Sequence, residues 1–130
     1  MKTVNVNIGS DIGADINITY IVGQNQHENH AILDAAGPDD IWFHIHGMSS
    51  AHVIARVPAG LSRKERGKLI KQGAILCKNN TNKVVSQRNI PAAQKGASLK
   101  VRVVYTGCRH VEKTDVPGQV VASNTHTLTL

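Results

Sequence analysis

Alternation of apolar and polar residues predicts a series of short β-strands along the chain. A period of two places successive side chains on opposite faces of a sheet, which is typical of half-buried strands. The predicted strands are residues 4–8, 16–22, 41–46, 52–57 and 99–105. Residues 47–50 (Gly-Met-Ser-Ser) have the length and composition of a hairpin loop, so strands 41–46 and 52–57 are expected to pair.

The end of the chain predicts one more hairpin. Residues 116–119 (Val-Pro-Gly-Gln) form a turn signal, in which Gly118 suits a position with positive φ. Residues 120–121 and 128–130 are then expected to pair with each other across residues 123–126. The preceding segment, residues 83–98, is predicted to be a loop with one short strand at residues 84–85.

One amphipathic helix is predicted at residues 63–78. Ser62 followed by Glu65 matches the capping box that begins many helices. At 100° per residue, one face is apolar and the opposite face is basic. The apolar face holds Leu69, Ile70, Gly73, Leu76 and Cys77, and the basic face holds Lys64, Lys68, Lys71 and Lys78, with Arg63 and Arg66 beside it. A shorter helical piece is predicted at residues 30–36.

These elements predict an α+β fold, in which one main amphipathic helix packs on a largely antiparallel sheet. The length of 130 residues is typical of one domain, residues 1–130, with residues 1–15 as an extra N-terminal strand. No apolar run approaches the roughly 20 residues that cross a bilayer. No membrane partner is therefore expected. Two cysteines cannot form a disulfide scaffold, which favours a cytoplasmic protein.

The charge balance indicates a polyanionic partner. The chain has 15 Lys and Arg against 9 Asp and Glu, a net charge of +6. A basic surface attracts nucleic acid, and also acidic proteins. We expect phosphate contacts from the helix lysines Lys64, Lys68 and Lys71 and from Arg102 and Arg109.

The residues give little support for catalysis. His44 and His46 share a strand face and His52 lies across the predicted hairpin, and three imidazoles can hold zinc. No carboxylate or thiolate lies nearby to support such a site, so no metal is expected. Ser49, Ser50 and His52 lack a nucleophile elbow. No phosphate-binding or dinucleotide-binding glycine motif is present either, so no cofactor is expected.

Two adjacent aromatic residues are candidates for base stacking. Trp42 and Phe43 are the only Trp and the only Phe, and as strand neighbours they face opposite ways. One is expected in the core, while the other, if exposed beside His44, could stack on a base. Cys77 is expected in the core. Cys108 precedes Arg109 and His110, a cationic setting that favours thiolate, although a surface thiol without function is the favoured interpretation.

The run Asp-Asp-Ile-Trp-Phe-His at residues 39–44, followed by Ser-Ser-Ala-His-Val at 49–53, resembles the signature of the NFACT-R domain family. The similarity extends from the Gly23–Asn29 stretch through the helix to Pro-Gly-Gln-Val at residues 117–120, and spans residues 16–130. The chain resembles a short, stand-alone member. The family's fold class and RNA-binding role are therefore the expectations for this chain.

The resemblance implies that the chain binds tRNA or rRNA and does not catalyse a reaction. The implied setting is the ribosome, with translation factors as partners or in ribosome quality control. The matching positions are Asn25, Asn29, Trp42, His44, Ser50, His52, Arg56, Lys113 and Gly118. Arg56 and Lys113 would neutralise phosphates, and His44, Ser50 and His52 would bind phosphate or a 2′-hydroxyl. Gly118 is expected to serve the backbone conformation. An adaptor for an acidic or ribosomal protein, a DNA-binding module and a histidine metal enzyme stay open as alternatives, as does the oligomeric state.

Overall fold

The computed structural model describes residues 1–81 and 101–130. Its helices are α1 (Gln26–Asp34) and α2 (Arg63–Asn79). Its strands are β1 (Lys2–Asn7), β2 (Asn17–Gly23), β3 (Ile41–Ile45), β4 (His52–Ala55), β5 (Arg102–Gly107), β6 (Val111–Lys113), β7 (Val120–Ala122) and β8 (His126–Thr129). A short 3₁₀ turn, Cys108–His110, connects β5 to β6.

Six of these strands form one sheet in the order β1-β2-β4-β3-β5-β8, and every neighbouring pair is antiparallel. Strands β6 and β7 form a separate antiparallel pair. The predicted α+β class with a largely antiparallel sheet is confirmed. The predicted hairpin of β3 and β4 is also present, and Gly47 in its loop has a φ of +77°.

Helix α2 packs on one face of the sheet. Ser62 and Glu65 form the predicted capping box, in which each side chain accepts a hydrogen bond from the other residue's backbone N–H. Its buried face includes Leu69, Ala74 and Cys77, which join Phe43 in the main core. The helix ends one residue later than predicted, at Asn79.

The opposite face of the sheet carries a second apolar cluster. Trp42 and Ile54 point to this side because strand side chains alternate, and Ile32 of α1 covers them. Val120 and Ala122 of β7 pack at the edge of the same cluster. Both faces of β3 are therefore buried, and the prediction that either Trp42 or Phe43 could be exposed is wrong: their exposed fractions are 3% and 0%.

Helix α1 begins four residues earlier than predicted and ends before residue 36. Asn25 caps it by accepting a hydrogen bond from the Glu28 backbone N–H, at 2.9 Å. The Glu28 carboxylate in turn accepts hydrogen bonds from the Asn25 side chain and the Gln24 backbone N–H. A polar stretch in the sequence is thus a helix start, because its side chains satisfy the free N–H groups of the first turn.

The predicted pairing of residues 120–121 with 128–130 is wrong. Strand β7 pairs with β6, whereas β8 pairs with β5 and extends the main sheet. Between them the Thr106 hydroxyl is within hydrogen-bonding distance of the Ser123 and Asn124 carbonyls. The two segments separate because Leu128 packs on the main core while Val120 packs on the Trp42 cluster.

The predicted strand 99–105 is observed as β5, Arg102–Gly107. Its first positions, and the loop and short strand predicted within residues 83–98, lie outside the described residues. Among the helices of residues 1–81 and 101–130, none is long and apolar enough to span a bilayer.

Two glycines of α2 give a matched test of this packing. A Cβ at Gly73 would overlap the Phe43 ring, whereas a Cβ at Gly67 would meet nothing within 4 Å. We expect Gly73→Ala to lower the free energy of unfolding by about 1–3 kcal/mol through overpacking. Gly67→Ala should leave it unchanged or raise it by up to about 1 kcal/mol, because alanine favours helix. Urea unfolding of both variants measures the difference, and equal effects would contradict the packing.

Candidate nucleic-acid interface

Three aromatic rings come together on the sheet face opposite α2. The His44 ring lies parallel to Trp42, with ring centroids 5.6 Å apart and an interplanar angle of 9°. The His52 ring stands edge-on to both, with centroids 5.5 Å from Trp42 and 4.9 Å from His44. The predicted approach of His52 to His44 across the hairpin is therefore observed. His46 lies beyond the end of β3 and is exposed.

A hydrogen bond fixes the protonation of His52. The Trp42 Nε1–H donates to Nδ1 of His52 at 3.1 Å, so the neutral ring carries its proton on Nε2. Burial, together with the nearby His44 and His30, lowers the pKa of His52 from 6.5 to about 3. Burial also lowers the pKa of His44, with a contribution from His46. Both rings beside Trp42 are thus neutral at physiological pH.

Asn29 and Asn25 act within the protein in this structure. The Asn29 side-chain carbonyl accepts a hydrogen bond from the His52 backbone N–H at 3.3 Å, which ties α1 to β4. A Cβ at Gly23 would lie 2.5 Å from that same oxygen, so glycine is needed for this close approach. Asn25 is the cap of α1. Asn25 and Asn29 therefore hold the start of α1 in place beside the ring cluster.

Ser50 joins the hairpin end to the core. Its hydroxyl accepts a hydrogen bond from the Ile45 N–H at 3.0 Å and donates to the Ala51 carbonyl at 2.9 Å. The next N–H, of Ala51, donates to the Thr81 hydroxyl just beyond α2. The Cys77 thiol also donates to the Ala51 carbonyl. The C-terminal end of α2 therefore lies at the same end of the sheet as the ring cluster.

An open cavity of about 350 Å³ lies over the rings. Its walls are the start of α1, the hairpin end and the turn at residues 117–119. Gly118 in that turn has a φ of +80°, and a Cβ there would lie 3.0 Å from the Gln26 Cα. A hydrogen bond between His30 Nε2 and the Gln119 carbonyl, at 2.9 Å, holds the turn against α1. Among residues 1–81 and 101–130, none that lines the cavity carries a formal charge.

Among the cations that the structure describes, the largest group without ion pairs lies on α2. The nine acidic residues of the chain all fall within the described ranges, and none of them forms an ion pair with a cation of this helix. The one acid of α2, Glu65, accepts hydrogen bonds from the Ser62 and Asp11 N–H groups. We call these six cations the α2 basic surface: Arg63, Lys64, Arg66, Lys68, Lys71 and Lys78.

The other predicted cations differ in their surroundings. Arg56 lies 4.0 Å from Asp40, Arg109 pairs with Asp39, and Lys113 pairs with Asp34. Arg102 is exposed and has no ion pair among the described residues; it points to the His44 face, because Val103 beside it enters the α2 core. The predicted cations are thus divided between the two faces of the sheet. Exposed ion pairs are weak, so the paired cations can still exchange partners.

A second, larger groove of about 740 Å³ lies at the other end of the sheet. Arg66 and Arg109 both line it, together with Tyr105 and His126, whose rings are 5.5 Å apart. Asp39 also lines this groove, and its ion pair offsets the charge of Arg109.

The thiols offer no activated nucleophile. Burial raises the pKa of Cys108 to about 12, with a further increase from Asp40 that outweighs the opposite effect of Arg56. The expected cationic setting for a Cys108 thiolate is therefore wrong. Burial likewise raises the pKa of Cys77 to about 12, in the core where it was predicted. Within residues 1–81 and 101–130, no group of three His, Cys, Asp or Glu side chains is arranged to hold a metal ion.

Several residues of the cavity are absent from the predicted site. Gln26, Met48 and Gln119 line it, as do Val120 and Ala122 of β7. The capping pattern of Asn25 and Glu28 could have placed Gln26 at a helix start. The pairing of β7 with β6 had no comparable signal, because its strands have three residues each.

Comparison with known proteins relates the chain to a class of RNA-binding domains. Residues 14–125 match the family described as the NFACT protein RNA binding domain. The chain is 31% identical over 97 residues to coiled-coil domain-containing protein 25 of Danio rerio, which covers 74% of this chain and 42% of that protein. The Mus musculus protein of the same name gives 31% identity, with 74% and 41% covered.

This chain belongs to the NFACT RNA-binding domain family. A Dictyostelium discoideum homologue of coiled-coil domain-containing protein 25 is 28% identical over 105 residues, covering 79% of this chain and 46% of that protein. The chain thus spans less than half the length of these relatives. The C-terminal part of the fibronectin/fibrinogen-binding protein from Streptococcus suis shares the fold, with a TM-score of 0.66 at 18% identity over 94% of this chain and 43% of that one.

The neutral, buried His52 predicts a pH dependence of stability. An unfolded chain binds a proton at His52 below about pH 6.5, whereas the folded protein does not until about pH 3. The contribution of neutral His52 to the free energy of unfolding is complete above pH 6.5. It is lost as the pH falls, by up to about 1.4 kcal/mol per pH unit. His52→Asn keeps an acceptor for Trp42 but cannot titrate. Urea unfolding between pH 5 and 6.5 should show that the free energy of unfolding depends less steeply on pH in this variant than in the native protein. An equally steep pH dependence in both would contradict the assignment to His52.

Proposed function

We propose that this domain binds RNA without catalysing a reaction, and that the α2 basic surface makes its main contacts with phosphates. The observation that carries this proposal is the concentration of six cations on one helix whose single acid is occupied by backbone N–H groups. Unpaired cations keep their full charge for an external anion. Membership of a family described by RNA binding supports RNA as that anion.

The dimensions of α2 suit a polyanion. Lys64 and Lys78 are fourteen residues apart, which corresponds to about 21 Å along a helix axis. Lys64, Lys68 and Lys71 follow one another at spacings of four and three, so they form a stripe along one side. A stripe of this length spans several successive phosphates of a nucleic acid strand.

We further propose that the RNA is tRNA or rRNA in the cytoplasm, in association with ribosomes, translation factors or ribosome quality control. Arg102, on the His44 face of the sheet, is an additional phosphate contact, and Arg56, Arg109 and Lys113 contribute once they exchange their acidic partners. An acidic-protein adaptor and a DNA-binding module are the alternatives that the following measurements distinguish.

The α2 basic surface predicts a strong salt dependence of RNA affinity. If six phosphates are neutralised, log affinity for an RNA duplex should fall with log salt at a slope of about −5, by analogy with duplex DNA. Lys68→Gln with Lys71→Gln should make the slope shallower by about 2. Fluorescence polarisation between low and moderate salt measures both slopes.

A double variant of two cations outside α2 controls for net charge. Arg109→Gln with Lys113→Gln removes the same two charges, but each was already paired with an acid. We expect the slope to become shallower by less than about 1. Equal effects of the two double variants on the slope would overturn the assignment of the main phosphate contacts to α2. An RNA affinity of the native protein that does not change with salt would do the same.

Crosslinking in cells identifies the RNA partner. We expect tRNA or rRNA to dominate the fragments that crosslink to the protein, and a DNA strand of matched sequence to bind less tightly in vitro. Recovery of an acidic protein that persists after nuclease treatment, without enriched RNA, would favour the adaptor instead.

A further inference from the structure

We propose that the cavity over Trp42, His44 and His52 receives one unpaired base of the bound RNA. This inference rests on the proposed RNA binding and assigns a second contact between the domain and the RNA, in addition to α2. The α2 basic surface lies on the other face of the sheet, so the cavity and the helix make different contacts.

The chemistry of the cavity lining favours a base over a phosphate. The lining combines imidazole, amide and hydroxyl groups with apolar surface, and no Lys, Arg, Asp or Glu of the described residues contributes to it. A phosphate buried there would lack a counter-charge, which is unfavourable. An uncharged, flat heterocycle with hydrogen-bonding edges matches the lining, and a cavity of about 350 Å³ is large enough for one base.

The rings are positioned before any ligand arrives. The hydrogen bond from Trp42 to His52 holds both side chains, and the parallel stacking on Trp42 orients His44. Trp42 and His52 are almost completely buried, whereas His44 is half-buried and is the most accessible ring of the three. His44 is therefore the ring on which a base stacks, with Trp42 supporting it from below.

The position of the cavity suits an RNA strand held by α2. The Thr81 hydroxyl beyond α2 accepts a hydrogen bond from Ala51, whose neighbours Ser50 and His52 both line the cavity. Lys78 lies in the last turn of the helix, at this same end. Beyond the rings, the Arg102 carbonyl accepts a hydrogen bond from the His46 N–H at 2.9 Å. The Arg102 side chain stands on the His44 side of the sheet, because Val103 beside it enters the α2 core, and there it can bind the phosphate next to an inserted base.

The test compares two RNAs with equal numbers of phosphates: a hairpin with an unpaired loop, and a blunt duplex. Trp42 is the only tryptophan of the chain and lines the cavity, so its fluorescence reports directly on base insertion. We expect the hairpin to bind the native protein about ten-fold more tightly, as expected for one stacked base, and to quench Trp42. The duplex should leave the emission unchanged.

Two variants change the cavity in different ways. His44→Ala removes the stacking ring, and Ser49→Leu narrows the cavity from an exposed loop position that does not support the core. Each should reduce hairpin affinity about ten-fold, to the level of the duplex, and leave duplex affinity unchanged. The matched control is His46→Ala, which removes an exposed imidazole two residues from His44 and outside the cavity; it should behave as the native protein.

The outcomes separate this inference from the proposed function. If the native protein binds both RNAs equally with the expected salt dependence, the base pocket is overturned and RNA binding by α2 stands. Native-like hairpin affinity in both His44→Ala and Ser49→Leu would also overturn it, as would equal losses for hairpin and duplex. If neither RNA binds, the proposed function itself fails.

Discussion

Strand β3 is buried on both faces, and this constraint arranges the rest of the molecule. Phe43 points into the core beneath α2, where it fits only because residue 73 is glycine. Trp42, its neighbour, points to the other side beneath α1 and β7. Because adjacent strand residues face opposite ways, the only Trp and the only Phe of the chain require cover on both faces of the sheet.

This two-sided burial separates two kinds of surface chemistry. On one side, α2 uses its apolar face for packing and carries six cations that form no ion pair with an acidic residue. On the other side, burial keeps His44 and His52 neutral around Trp42, and the described residues that line the cavity above them are all uncharged. RNA contains both a charged backbone and uncharged bases, so the two surfaces are complementary to its two parts.

Local patterns predicted the elements of the fold better than their long-range connections. The capping box of Ser62 and Glu65 and the 3.6-residue period located α2 closely, because helix signals lie within a few residues of each other. The pairing of β8 with β5 depends on which apolar cluster each segment joins, and residues 120–130 carry no signal for that choice. The sequence also indicated Trp42, His44 and His52 as a group, through the hairpin and the family signature. It did not reveal that Trp42 would be buried or that Arg56, Arg109 and Lys113 would find acidic partners, since these depend on distant residues.

The central claim is that α2 binds the phosphates of the RNA. Backbone amide chemical shifts, measured by NMR as a tRNA fragment is added at low and at moderate salt, test it most directly. The account predicts that the largest shifts fall on the α2 basic surface, that they weaken as salt rises, and that smaller shifts appear at the hairpin end and the turn at residues 117–119. Shifts confined to strands β1 and β2, with α2 unaffected at both salt concentrations, would contradict it.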